Sequence, residues 1–414
     1  MQRMKSNRTV LSCCDIPGDG IRMMHMGRWI RTLLILVSVS FSATAWSLGM
    51  NDLSVLIPLP GQSDFDRMIH PGFEGGKGQL LPWDTFRFLP VLAVEADPET
   101  LYRNHLRVVG IRFDPCFQEG RKAPCRPQIR LVWQPLIFVG DQSSTLDASV
   151  HTFYELAPGD WEILISELTG ISDGDRRIPL QIHPRILREG HYGPTWSRFR
   201  TIIGRFAGES NLIRATAMTV RQGRVWAFMG VDRVPGGWRP IRIPALPGET
   251  PVRQSFLLFP EGMMNLAEFK GSISPVATGF EDWQSLVSDS IEFKAKAGLP
   301  RLKSLMGRAI EIENPRRHNP GTVDCVSCHM AQTVRLWGQS HFPSWDWERD
   351  FESQRYPGRG LAWSNTSVNP SRTDRVRAFG YFGSEPVIAQ RVIHETLESL
   401  GGYKKTPPVK TERF

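Results

Sequence analysis

The sequence predicts an α+β protein, with a β-rich N-terminal domain, sandwich or barrel-like, followed by a mainly helical C-terminal segment. Short runs of β-forming residues bounded by turn residues fill positions 46–275, whereas helical periodicity dominates after 276. The chain's 37 glycines and 31 prolines, with 13 tryptophans, suggest a body rich in turns and strands. Its few helical stretches do not alternate regularly with strands, which disfavours a doubly wound sheet. The organisation read from the chain is a leader at 1–45, a β-rich domain at 46–275 and a helical segment at 276–414.

The leader comes first. Arg28-Trp29-Ile30-Arg31 is basic, Thr32–Ser42 is apolar, and Ala43-Thr44-Ala45 is a small-residue cleavage site. The apolar run falls short of the roughly 20 residues that a membrane-spanning helix needs. It is therefore read as a signal peptide cut after Ala45, leaving no integral membrane domain in an exported protein, periplasmic or secreted. Met23, Met24 and Met26 are alternative starts, which would leave Cys13 and Cys14 out of the chain.

Within 46–275, Leu106–Phe113 and Ile129–Pro135 read as strands. Thr219–Arg221 and Arg224–Val231 read as a hairpin about Gln222-Gly223. Further strands are predicted at Trp161–Ser166, Arg239–Ile243 and Gln254–Phe259, and a short helix at Ser197–Phe206. Beyond 276, Glu281–Lys296 places Trp283, Leu286, Val287, Ile291 and Ala295 on one helical face. Leu299-Pro300 breaks that helix, and Arg301–Ile312 forms another. A last helix is predicted over Pro386–Leu400, with Ser384 as its cap and Gly401-Gly402 as its stop.

Composition excludes several classes. With 41% hydrophobic and 22% charged residues, the chain is neither wholly disordered nor a multi-span membrane protein. The net charge is +8. The leader holds six of the 50 basic and two of the 42 acidic residues, so the rest carries only +4. No basic run is interleaved with aromatics, and no nucleic-acid partner is expected.

Six cysteines are sparse for 414 residues and, past the leader, fall into two pairs. Cys116 and Cys125 flank a short loop between two predicted strands, and in an oxidising compartment they are expected to form a disulfide. The second pair lies in Cys325-Val326-Ser327-Cys328-His329. C-x-x-C-H is the attachment sequence of covalent haem. Two thiols three positions apart reach the two vinyl groups of one porphyrin, and the adjacent histidine puts an imidazole under the iron. Three other readings stay open. One is a redox dithiol, although no thioredoxin-like βαβ pattern precedes Cys325. The second is zinc held by Cys325, Cys328 and two of His318, His329 and His341. The third is a plain structural disulfide, for which a two-residue gap makes a strained ring.

Residues 325–329 resemble the haem site of c-type cytochromes. The resemblance covers five residues and implies one covalent haem c, with thioether bonds at Cys325 and Cys328 and His329 as the proximal iron ligand. It extends to nothing in 46–275. The sequence departs from the common pattern of a distal methionine well downstream, because no methionine follows Met330. His341, in a loop among Trp337, Trp345 and Trp347, is the candidate distal ligand if the chain turns back over the ring. His318, Met306, Met263, Met264 and an open position compete with it. His394 is expected on a solvated helix face, and His151, His183 and His191 as core or surface histidines.

No P-loop, G-x-S-x-G, H-E-x-x-H or Rossmann fingerprint occurs. The expected function is periplasmic electron transfer with a redox partner protein, the β-rich domain serving for docking or for binding an undetermined ligand. A haem enzyme or gas or redox sensor with an open iron is the alternative, and a non-redox binding protein with ancillary haem the third reading. Whether the protein is an enzyme is left open.

Overall fold

A computed structural model describes residues 48–89, 97–118, 124–172, 177–221, 225–241, 254–261, 268–274, 281–358 and 377–403. The signal segment, the Gln222-Gly223 turn, Met263, Met264 and the tail after 403 lie outside the described residues.

Ten strands form one antiparallel sheet. They are β1 (Ser54–Leu56), β2 (Leu106–Phe117), β3 (Arg126–Val139), β4 (Gln142–Thr145), β5 (Ala148–Glu155), β6 (Leu212–Arg221), β7 (Val225–Val234), β8 (Gly237–Pro240), β9 (Gln254–Glu261) and β10 (Glu268–Ser274). Their order is β1-β2-β3-β5-β6-β7-β9-β10, with β4 beside β3 and β8 beside β7. The long predicted strands are all present, and β6 and β7 pair from Arg214↔Asp232 to Arg221↔Val225. The Cys116–Cys125 disulfide forms where β2 and β3 join. The α+β class of the sequence reading holds.

Helix α1 (Pro158–Thr169) corrects one expectation, because it contains the segment read as a strand at Trp161–Ser166. Pro158 sits in its first turn, where a missing N–H costs nothing, and Asp160 favours the positive helix end. Trp161, Leu164, Ile165 and Leu168 are buried at helical spacing, so packing overrides the strand preference of Ile163 and Ile165. Next come α2 (Pro184–Glu189) and α3 (Pro194–Phe206), the latter predicted in all but its first turn.

The segment read as one helix over 281–296 is two, α4 (Glu281–Ser288) and α5 (Ser290–Lys296). Asp289 interrupts it and caps α5, its side chain accepting from the Glu292 N–H at 2.9 Å. The break leaves Ile291 exposed and turns Phe293 inward. Pro300 does not end a helix but lies in the first turn of α6 (Leu299–Ile312). Helix α7 (Cys325–His341) carries the C-x-x-C-H residues.

The predicted C-terminal helix is shorter at its start. Residues Glu385–Ile388 form strand β12, hairpin partner of β11 (Phe379–Phe382), about Gly383 at φ +61°. A left-handed φ at the turn suits glycine, and Pro386 is tolerated in a two-stranded ribbon. Only then does α8 begin (Gln390–Tyr403).

Trp46–Phe414 is one compact unit containing two hydrophobic clusters. Alternate residues of β6 and β7 divide between them. Ala215, Ala217 and Val231 join the first, with α1 and α3, while Met218 and Phe228 join the second, with α4 to α7. No helix among the described residues is long and apolar enough to cross a membrane.

Candidate functional site

Helix α7 begins at Asp324, whose side chain accepts from the Ser327 N–H at 3.0 Å and whose carbonyl accepts from the Cys328 N–H, also at 3.0 Å. The cap starts the helix at Cys325. Cys325, Cys328 and His329 then stand at i, i+3 and i+4, which on an α-helix is one face. Val326 and Ser327, on the remaining positions, are fully buried.

That face opens on a cavity of about 380 Å³, lined by Cys325, Cys328 and His329 together. Both cysteines are free thiols. Burial, with Asp324 nearby, pushes Cys325 up to about 12; burial likewise raises Cys328 to about 11. A dithiol oxidoreductase needs the opposite shift, a thiol made acidic by its surroundings. No group of three or more His, Cys, Asp or Glu is placed to hold a metal ion among the described residues, so the zinc set is not assembled. His329 packs on the Phe228 ring with centroids 5.0 Å apart.

The wall facing α7 is the sheet. Ser149, His151 and Phe153 alternate along β5, and Arg214, Thr216 and Met218 along β6, so each set shares one face. Cross-strand register aligns them in rows: Ser149–Met218–Phe228, His151–Thr216–Gly230 and Phe153–Arg214–Asp232. Gly230 is where this wall must stay thin, since an added Cβ would lie 2.8 Å from Thr216 Cγ2 and from Ile241 Cδ1. Ser149 Oγ, though buried, has no hydrogen-bond partner among the described residues. Burial, with the nearby His329 next in effect, lowers the His151 pKa to about 3, so its imidazole is neutral.

The cavity is also lined by residues of the loop at 319–323 and by Arg391 and Glu395 of α8. Glu395 is bound by Arg112 Nη1 and Arg391 Nε, each at 2.6 Å, with Arg130 Nη1 at 3.8 Å. Burial alone would raise its pKa, but the guanidinium charges of Arg112, Arg391 and Arg130 outweigh burial and hold it well below the carboxylate range. Arg391 also donates to the carbonyls of Ile312 and His318, at 2.7 Å each. Arg214 makes a two-point pair with Asp232, at 2.6 and 3.0 Å.

The donor set fits haem c: two free thiols and an imidazole on one helix face, apolar side chains at Phe153, Met218, Phe228 and Val323, and an orphaned polar atom on the opposite wall.

The other residues singled out in the sequence lie elsewhere. His341 does not turn back over His329. The chain stays helical to His341, which therefore ends the same helix about 18 Å from His329 at 1.5 Å per residue. Its Nδ1 is 2.9 Å from the Trp337 carbonyl, and its ring stacks on Trp337. Trp345 and Trp347 pack with Phe351 beyond the helix end and line no part of the cavity. His318 sits in the preceding turn, its Nδ1 3.3 Å from Thr322 Oγ1, and Met306 is fully buried in the second cluster. His394 is not solvated but 2% exposed; its Nδ1 donates to the Glu313 carbonyl at 2.8 Å, and its Nε2 accepts from Gln390 at 2.9 Å. His183 caps α2 and His191 bonds the Pro58 carbonyl, both as structural histidines.

What sequence reading missed is the strand wall. The alternation Ser149-x-His151-x-Phe153 was visible, but which face of β5 meets α7, some 175 residues later, is set by the sheet order alone. No family model matches the chain, and no curated protein or solved structure resembles it.

Proposed function

We propose that the cavity between α7 and the sheet holds one covalent haem c, attached at Cys325 and Cys328 with His329 as its proximal ligand, and that the protein is an exported electron carrier. The observation that carries this reading is that both free thiols and the adjacent imidazole open on the same cavity. Haem bound there supplies a one-electron couple. The chain's own residues hold it and keep water from it. The α7 face fixes the attachment geometry, and Met218, Phe228 and Val323 give an apolar lining. The Arg391–Glu395–Arg112 ion-pair group supplies a floor with one positive charge in excess, next to which an anionic haem propionate would be favoured.

Export is supported by the basic–apolar–small pattern of residues 28–45 and by the Cys116–Cys125 disulfide, since structural disulfides persist in oxidising compartments. A single haem hands on single electrons, so the carrier works with redox partner proteins, and the periplasm is the compartment that suits both. The test is spectroelectrochemistry of the protein matured with a cytochrome c assembly system. Reversible one-electron cycling without substrate turnover supports the carrier. Steady peroxide consumption by the same preparation would point instead to the haem-enzyme alternative.

A further inference from the structure

We propose that His151 is the second axial ligand of the haem iron, reaching from strand β5 across the cavity to the side opposite His329; this rests on the haem reading above.

Three independent observations place it there. First, His151 and His329 line the same cavity from different walls, one on the sheet and one on the helix. No other described histidine lines it. Second, its neighbour across the sheet is small. Its row across the sheet continues through Thr216 and Gly230, whereas the rows on either side carry the larger side chains of Met218 and Phe228, and of Phe153 and Arg214. Third, its ring, half-buried on the cavity wall, makes no hydrogen bond to another described residue, which leaves its nitrogens available to a ligand in the cavity. The fully buried histidines are engaged elsewhere: His183 with the Ile186 N–H, His191 with the Pro58 carbonyl, and His394 with Glu313 and Gln390. Ser149 Oγ, two residues away on the same face, likewise has no hydrogen-bond partner among the described residues.

Two methionines line the cavity; Met229 alternates with Phe228 onto the other face of β7, which leaves Met218 as the soft competitor. Met218 is 5% exposed and belongs to the hydrophobic cluster of Trp226 and Phe228, where its methylenes already have partners. Two imidazoles would make the haem low-spin, and its potential lower than that of a histidine–methionine pair.

The test uses the full exported chain, matured with haem, as wild type, His151→Ala and Met218→Leu. Haem staining after denaturing electrophoresis is read first, because it reports attachment through Cys325 and Cys328 whatever the sixth ligand is. The expected result is stained protein in all three. The wild type and Met218→Leu give low-spin ferric spectra and electron paramagnetic resonance signals of two imidazoles. His151→Ala gives a high-spin spectrum, binds CO when reduced, and returns to low-spin when free imidazole is added. Should His151→Ala misfold, the wild-type resonance spectrum alone separates two imidazoles from any other pair. Stained wild type that is already high-spin, or a His151→Ala spectrum unchanged from wild type, overturns the proposal while leaving covalent haem standing. Absence of stain in the wild type would remove the haem reading itself, and this inference with it.

Discussion

Glu395 shows how single residues set the energetics of the site. Its carboxylate meets Arg112, Arg130 and Arg391 in a buried cluster, so Glu395→Gln leaves three guanidiniums with too little negative charge. Breaking a buried pair on one side costs about 3–5 kcal/mol. Urea unfolding of Glu395→Gln should show a loss in that range at neutral pH. His394, on the neighbouring position, sets an acid limb. Burial holds its pKa near 4 against an unfolded value of 6.5, so the unfolded state takes up its proton first. Its stabilisation is fully present above about pH 6.5 and is lost as pH falls towards 4, by about 3 kcal/mol in all. His394→Gln, which still offers a donor to Glu313 and an acceptor to Gln390, should make stability fall less steeply between pH 6.5 and 4.5, the remaining slope belonging to groups such as His151. A variant as steep as wild type there would show that other groups own the limb.

At the scale of elements, the helix that carries C-x-x-C-H packs closely on its neighbour α6. Gly338 lies where α7 meets α6, and a Cβ there would run into Met306 Sδ and come within 2.8 Å of Trp347. Overpacking of this kind costs about 1–3 kcal/mol. Gly338→Ala should lower the melting temperature, and the same substitution should cost less in a Met306→Ala background than in the wild type. His341→Ala, at the far end of the same helix, should leave the optical spectrum of the haem-loaded protein unchanged; a spin-state change would contradict the straight α7. Much of this level was readable beforehand. The β-branched runs at 106–113 and 129–135, and the apolar spacing of 301–312, encode their elements locally. The errors share a cause. Trp161–Ser166 and Pro386–Ile388 carry residues acceptable to either state, and the partner decides: a packed helical face in one case, the Phe379–Phe382 strand in the other. The C-x-x-C-H face was legible because helix geometry alone aligns it. His151 was not, because its significance depends on a contact made across the whole fold.

At the scale of the molecule, the chain closes on itself. Helix α8 returns to the first strands, with Thr396 Oγ1 2.7 Å from Ser54 Oγ and Glu395 on Arg112, while Tyr381 donates to the Ile57 carbonyl at 2.7 Å. The helix that lines the cavity through Arg391 and Glu395 thus also fastens the sheet's beginning. The Cys116–Cys125 disulfide stiffens the β2–β3 connection, and its removal by Cys116→Ser with Cys125→Ser should cost about 2–3 kcal/mol. Haem retention should not change, since neither cysteine lines the cavity; heat unfolding and haem staining of the double variant check both. The account as a whole rests on covalent haem at α7, and the intact mass of the mature exported chain tests it most directly. The account predicts the mass of the polypeptide plus one haem, with Cys325 and Cys328 both closed to alkylation after denaturation. A mass without haem, with both thiols alkylated, would contradict it.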